Sequence, residues 1–147
     1  MTESYQIFPI GTIRKEGDAA RIEIQEAYQE AMDGLEGFSH IIVLYWFDQN
    51  DCPEKRGILK VHPRRDKTNP LTGVFATHSP LRPNLIALTY CRITNIEGGV
   101  IHIDEIDAYD GTPVIDIKAY IPIDKVTRET VRVPDWANKP WNKGNTI

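Results

Sequence analysis

The chain has 147 residues, a formal net charge of -4 and 41% hydrophobic residues, which fits one domain with a sizeable core. That balance does not announce a nucleic-acid binder, and the two distant cysteines, Cys52 and Cys91, suggest neither a disulfide framework nor a zinc site. No apolar run is long enough to span a membrane and the start lacks a signal-peptide pattern, so a soluble, cytoplasmic protein is expected.

Tyr5 to Arg14 predicts a first strand, with Gly11 marking a bulge. Arg21 to Ile24 alternates polar and apolar residues and predicts a half-buried strand. Glu26 to Met32 is rich in helix formers and predicts a short helix stopped at Asp33-Gly34. Phe38 to Phe47 is the most hydrophobic run. Its β-branched and aromatic residues predict a central strand buried on both faces. His40 near its start is a candidate ligand. No second histidine or cysteine stands at metal-ligand spacing, so a hydrogen-bonded structural histidine is preferred and no metal is expected.

Glu54 to Lys67 holds six basic residues against two acidic ones, a local +4 that leaves about -8 for the remainder. Ile58 and Val61 predict a strand inside this segment. A basic patch on an acidic protein can meet a phosphate backbone. A solvated strand edge guarded by lysine is the simpler reading when charge stands alone.

Gly73 to Asn84 begins with Val74, Phe75, Ala76 and Thr77, which predict a short buried strand. His78, Ser79, Pro80, Arg82, Pro83 and Asn84 follow. Two prolines fix two φ angles and remove two backbone donors, so this loop is stiff. It is either a proline-rich corner or a rigid carrier of polar side chains.

Leu85 to Ile93 predicts another strand, and Gly98-Gly99 turns the chain into a hairpin that resumes at Val100. Asp110-Gly111 is a strong turn signal stiffened by Pro113. The alternation that follows puts Ile115, Ile117, Ala119, Ile121 and Ile123 on one face. Asp116, Lys118 and Tyr120 fall with Val114 on the other. Those three polar groups either line a cavity or form an outer face with a weak ion pair. Residues 136–147, with Trp136 and Trp141, predict an irregular C-terminal tail behind a main domain of residues 1–135. Many short strands with turn signals predict an all-β barrel or sandwich with few short helices.

Leu35-Glu36-Gly37-Phe38-Ser39-His40, Tyr45-Trp46-Phe47, the Gly73–Asn84 run, Asp110-Gly111-Thr112-Pro113 and Asp116-Ile117-Lys118 with Tyr120 occur in the order of one family's motifs. From about Ile10 to Asp124 the chain resembles the tRNA methyltransferase O (TsaA-like) family. The resemblance implies a single-domain, partly open β-barrel that pairs as a homodimer. It implies S-adenosyl-L-methionine as cofactor, and N6-methylation of threonylcarbamoyl-adenosine beside the tRNA anticodon as the reaction. It also implies cofactor contacts at Asp48, Gln49, His78, Leu88 and the turn Tyr109, Asp110, Gly111, Thr112, Pro113. The family pattern has Arg at the position of His78, and its longer members carry a loop that Lys15 to Ala20 is too short to contain.

Methyl transfer is an in-line displacement that needs no covalent enzyme intermediate, so positioning and proton removal are what the residues have to supply. His78, Asp110 and Asp116 are the catalytic candidates. Arg82, Asn84, Lys118 and Tyr120 are candidates for positioning substrate or cofactor. Lys60, Arg64, Arg65 and Lys67 are candidates for contact with the tRNA anticodon stem-loop. A barrel that binds an adenosyl ligand without chemistry, and a methyltransferase with another acceptor, are the alternatives.

Overall fold

A computed structural model describes residues 2–139 of the chain. Its strands are β1 (Gly11–Glu16), β2 (Ala19–Ile24), β3 (His40–Trp46), β4 (Lys60–Val61), β5 (Thr72–Gly73), β6 (Ile86–Glu97), β7 (Val100–Ile103) and β8 (Pro113–Ala119). Among the described residues helix is confined to short 3-10 turns and two single-turn helices, α1 (Pro53–Arg56) and α2 (Asp135–Asn138). The chain groups into two compact units, Met1–Asp48 with Ile86–Tyr120, and Gln49–Leu85 with Ile121–Ile147.

The first unit is the expected all-β barrel. Its six strands close in the order β1-β2-β7-β6-β3-β8, all antiparallel. The ring is shut and leaves no open edge, although β8 meets β1 through two registered pairs only, Gly11↔Val114 and Thr12↔Pro113. The core is one residue in two from each strand. Ile13, Ile22, Ile41, Val43, Cys91, Ile101 and Val114 are fully enclosed, with Tyr45 and Ile103 beside them. Burying apolar side chains of this size stabilises by about 1.5–3 kcal/mol each.

Several expectations need correction. β1 starts at Gly11, and residues 2–9 before it are exposed without regular structure. Gly11 marks no bulge. A Cβ there would lie 2.5 Å from the backbone oxygen of Glu23, so glycine is what lets β1 approach β2. β3 alternates strictly between buried and half-buried positions, because one face lines the barrel and the other is the outer wall. Glu26–Met32 is a 3-10 helix with no buried residue.

β8 carries a bulge. Leu44 pairs with Asp116 but Tyr45 pairs with Val114, so Ile115 is an extra residue. An inserted residue breaks the two-residue period. Val114 therefore faces the core with Ile117, not the outer wall with Asp116. Ile121 and Ile123 fall beyond the end of β8 and are exposed.

The second unit is built on the small β4–β5 sheet, paired Lys60↔Gly73 and Val61↔Thr72. The expected strand Val74–Thr77 is a 3-10 turn, Val74–Ala76. Val74 is buried, but Phe75 is 82% exposed. A 3-10 turn rotates successive side chains by about a third of a turn, so this run cannot bury alternate residues as a strand would. Of the expected C-terminal tail, residues 140–147, with Trp141, lie outside the described residues.

Candidate cofactor and substrate site

In the barrel unit the turn from Tyr109 to Pro113 is stitched to β1. Asp110 accepts a hydrogen bond from the Lys15 backbone N–H at 2.8 Å, and Gly111 N–H donates to the Ile13 carbonyl at 2.8 Å. Gly111 has φ 87°, which favours glycine at the second position after Tyr109. Thr112 is buried and its hydroxyl donates to the Tyr109 carbonyl at 2.7 Å. The Tyr109 side chain stands half exposed above this braced backbone.

The strand before this turn ends in a polar knot. Lys15 Nζ donates to the Ile106 carbonyl at 2.9 Å. The Tyr45 hydroxyl donates to the Asp107 carbonyl at 2.9 Å, which leaves Thr89 Oγ1, also at 2.9 Å, to donate to it. Burial pushes the Tyr45 phenol up to about 12, with the Thr89 bond working the other way. Burial also raises the Asp107 carboxyl above the usual range, opposed by the Lys15 charge. Asp104 goes the other way: burial disfavours its charge, but N–H groups of Glu105 and Arg92 at 2.8 and 2.9 Å hold its carboxyl low.

Four of the expected site residues share the outer wall of the barrel. The register sets Leu88, Leu44 and Asp116 in one row, and Tyr90, Ile42 and Lys118 in the next. Tyr120 closes the wall, edge-on to Tyr90 at 5.5 Å and to His40 at 6.3 Å. Asp116 and Lys118 stand 3.8 Å apart, both well exposed, so this pair contributes little to stability. Asp116 also accepts from the Ile117 N–H at 2.9 Å. His40 is hydrogen-bonded to Ser39 at 2.7 Å. Among the described residues no cluster of side chains suits a metal ion, and no helix is long and apolar enough to cross a membrane.

The second unit holds Gln49, His78, Arg82 and Asn84. Its proline loop is braced from within. Thr77 Oγ1 donates to the Val74 carbonyl and accepts from Ser79 N–H, and Ser79 Oγ accepts from Leu81 N–H. The Arg82 guanidinium donates to the carbonyls of Thr77 and Ser79 at 3.2 and 3.1 Å, so its charge fixes the loop's shape. His78 and Asn84 project as exposed side chains from that frame. Asn50 donates to the Pro80 carbonyl, and Arg56 donates to the Pro83 carbonyl at 2.8 Å while holding Asp51 at 3.1 Å. The segment after Gln49 is thereby tied to the loop that carries His78. Sequence reading missed Lys15, Asn50 and Arg56. Their partners are backbone carbonyls distant in the chain, which leave no local pattern.

The profile of the tRNA-methyltransferase O N-terminal domain matches residues 3–125. A protein of Methanocaldococcus jannaschii named "Probable S-adenosyl-L-methionine-binding protein" is 49% identical over 116 residues, 79% of this chain and 92% of that one. A mouse tRNA (adenine(37)-N6)-methyltransferase is 43% identical over 93 residues, 63% of this chain, and the match spans only 21% of that enzyme. A crystal structure of TrmO from Pseudomonas aeruginosa superposes with a TM-score of 0.71 at 28% identity, covering 95% of this chain and 66% of that one.

Proposed function

The chain belongs to the tRNA-methyltransferase O N-terminal domain family, and on that footing we propose that it is an S-adenosyl-L-methionine-dependent methyltransferase acting on N6 of threonylcarbamoyl-adenosine beside the tRNA anticodon. The family match carries this reading, because residues 3–125 include every candidate site residue. The cytoplasm is its proposed place of action.

The residues suit the cofactor chemically. S-adenosylmethionine, when bound, supplies a methyl group on a positively charged sulfur, together with an ammonium, a ribose diol and an adenine. The barrel unit offers carboxylates at Asp110 and Asp116 as acceptors, and exposed apolar or aromatic surface at Leu88, Tyr109 and Tyr120. Carboxylates accept from hydroxyl and ammonium groups, and aromatic faces attract cations. Gly111 and Thr112 hold the turn rigid, so its groups are set before a ligand arrives.

The remaining task is positional. The acceptor nitrogen has to lie about 3 to 3.5 Å from the methyl carbon and in line with the departing sulfur. His78, Asp110 and Asp116 are the groups proposed to take the acceptor's proton. Asp110 already spends one oxygen on the Lys15 N–H and keeps a second for that purpose, whereas Asp116 gives one oxygen to the Ile117 N–H and turns the other toward the Lys118 ammonium at 3.8 Å. Arg82 positions by shaping the loop, and Asn84, Lys118 and Tyr120 by direct contact. Lys60, Arg64, Arg65 and Lys67 contact the RNA. A homodimer completes the reading, with the wall that offers Leu88 to the cofactor shared between two copies, since it exposes Leu88 at 50% and Tyr90 at 61%.

Titration calorimetry with S-adenosylmethionine is expected to show binding. Incubation with methyl-labelled cofactor and threonylcarbamoylated tRNA is expected to transfer label to the RNA. Binding without transfer would overturn the enzyme reading in favour of an adenosyl-ligand-binding barrel. That second reading draws support from the archaeal relative of similar length, whose name records binding alone. No heat at millimolar cofactor removes both.

A further inference from the structure

Charge is divided sharply between the two units. The second unit's sequence holds twelve Lys and Arg against six Asp and Glu, a net +6, whereas the barrel unit holds five against fifteen, a net -10. A polyanion is attracted by one unit and repelled by the other. The positive unit also displays large apolar side chains where a soluble protein would bury them. Phe75 is 82% exposed, Leu59 62% and Leu71 57%, all on or beside the β4–β5 hairpin.

The backbone around them is held and strained. Val74 N–H donates to the Leu59 carbonyl at 3.0 Å, which fixes the turn that carries Phe75 to the hairpin. The loop beyond β4 is locked by buried Asn69, whose amide donates to the Pro63 carbonyl at 3.0 Å, and by His62 bonded to the Asn69 carbonyl at 2.9 Å. Within that loop Arg64 and Arg65 have φ of 59° and 55°. Left-handed backbone costs a non-glycine residue roughly 1–2 kcal/mol, and such strain clusters where a surface is shaped for a ligand. Arg64 turns its guanidinium to the Ala137 and Lys139 carbonyls. Arg65 is exposed and makes no hydrogen bond or ion pair among the described residues. Opposite Lys60 stands Gly73, which has no side chain to screen the ammonium.

We propose that this hairpin is a stacking platform for an unpaired RNA base, in which the exposed ring of Phe75 takes the base and Lys60 and Arg65 take the flanking phosphates. The proposal rests on the tRNA reading above and deepens it by assigning contact with the single-stranded loop to one aromatic residue. Every base has a flat face, so an exposed ring beside cations suits single-stranded RNA. A second copy of the chain fits less well. A two-fold contact would set this patch against itself, so a cationic surface would face a cationic surface.

The test is binding of the full chain to an anticodon stem-loop RNA, and to the same RNA closed into uninterrupted duplex, over a series of salt concentrations. Phe75→Ala is expected to weaken binding to the stem-loop roughly 5- to 150-fold, the worth of one base–aromatic stack. Its salt slope and its affinity for duplex should stay as in the unaltered protein, and Phe75→Tyr should restore binding. Arg65→Glu should weaken both RNAs and flatten the salt slope. Phe75 is exposed, so thermal unfolding of Phe75→Ala should match the unaltered protein. Unchanged stem-loop affinity in Phe75→Ala with a loss in Arg65→Glu would overturn the platform and leave the tRNA reading standing. No RNA binding by the unaltered protein would overturn both. A change in sedimentation of Phe75→Ala with unchanged RNA affinity would assign the ring to a protein contact and overturn the platform.

Discussion

Two buried acids make the barrel sensitive to alkaline pH. Burial pushes the Cys91 thiol up to about 12, with the Asp104 and Glu105 charges adding, and the Tyr45 phenol up to about 12. Both groups are neutral when protonated, and the fold holds the proton more tightly than the unfolded chain does. Their stabilising contribution is therefore complete below the ordinary values near 9 and 10. It is lost as pH rises toward 12, because the unfolded chain releases protons first. For the Tyr45 phenol a proton held roughly a hundredfold more tightly in the folded chain corresponds to roughly 2–3 kcal/mol. Thermal unfolding measured between pH 8 and about 12 is expected to show a falling melting temperature, shallower in Cys91→Ala. A flat profile would reject the enclosed thiol and phenol. Neither pKa was legible in the sequence beyond Cys91 reading as a buried thiol. The Tyr45 environment depends on Thr89 and Asp107, which pairing and a loop bring in from residues more than forty positions away.

The strands were the most legible elements, since alternation names both a strand and its buried face. Ile22 and Ile24 follow it, whereas Ile41, Val43 and Tyr45 alternate inside a run whose unbroken hydrophobicity predicted burial on both faces. The rule failed where geometry intervened. The Ile115 bulge reverses the faces upstream of it, and no residue in Pro113 to Asp116 announces that. Val114→Thr, which puts a hydroxyl into the closed core, is expected to cost about 1–3 kcal/mol. Ile115→Thr, at the half-buried extra position, should cost distinctly less. Denaturant titration of the two variants checks this, and the reverse order would reject the bulge. The proline loop was legible as a stiff element but not as a braced one. Its rigidity owes as much to Thr77, Ser79 and Arg82 bonding to nearby backbone as to Pro80 and Pro83.

The molecule combines an acidic ring and a basic companion, and the sequence showed only part of that division. The run from Glu54 to Lys67 stood out as positive, but Arg82, Lys125, Arg128, Arg132 and Lys139 join it only once the chain has folded into two units. The barrel's outer wall offers a surface for assembly. Ile86, Leu88 and Tyr90 are 43%, 50% and 61% exposed on β6, a contiguous apolar stripe of the kind that marks a protein contact. Tyr90→Glu would place like charges together across a two-fold contact. Sedimentation is expected to find the unaltered protein as a dimer and Tyr90→Glu as a monomer. A variant that remains dimeric would remove this wall from the interface.

The seam between β8 and β1 bears on how the chain folds. It joins residues about a hundred positions apart through two registered pairs, against seven between β3 and β6. A contact spanning so much chain carries a large loop-closure entropy and little local reward, so it forms late. Contact order predicts hairpins β1–β2 and β6–β7 first, the longer-range β3–β6, β3–β8 and β2–β7 pairings next, and an open ribbon until the ends of the ring meet. The latch that shuts it is the Tyr109–Pro113 turn, through Asp110 to Lys15 and Gly111 to Ile13. Those residues are also proposed to hold the cofactor. The turn that would receive the ligand thus takes its shape at the step that completes the ring, and a chain stalled as the ribbon has no site to offer.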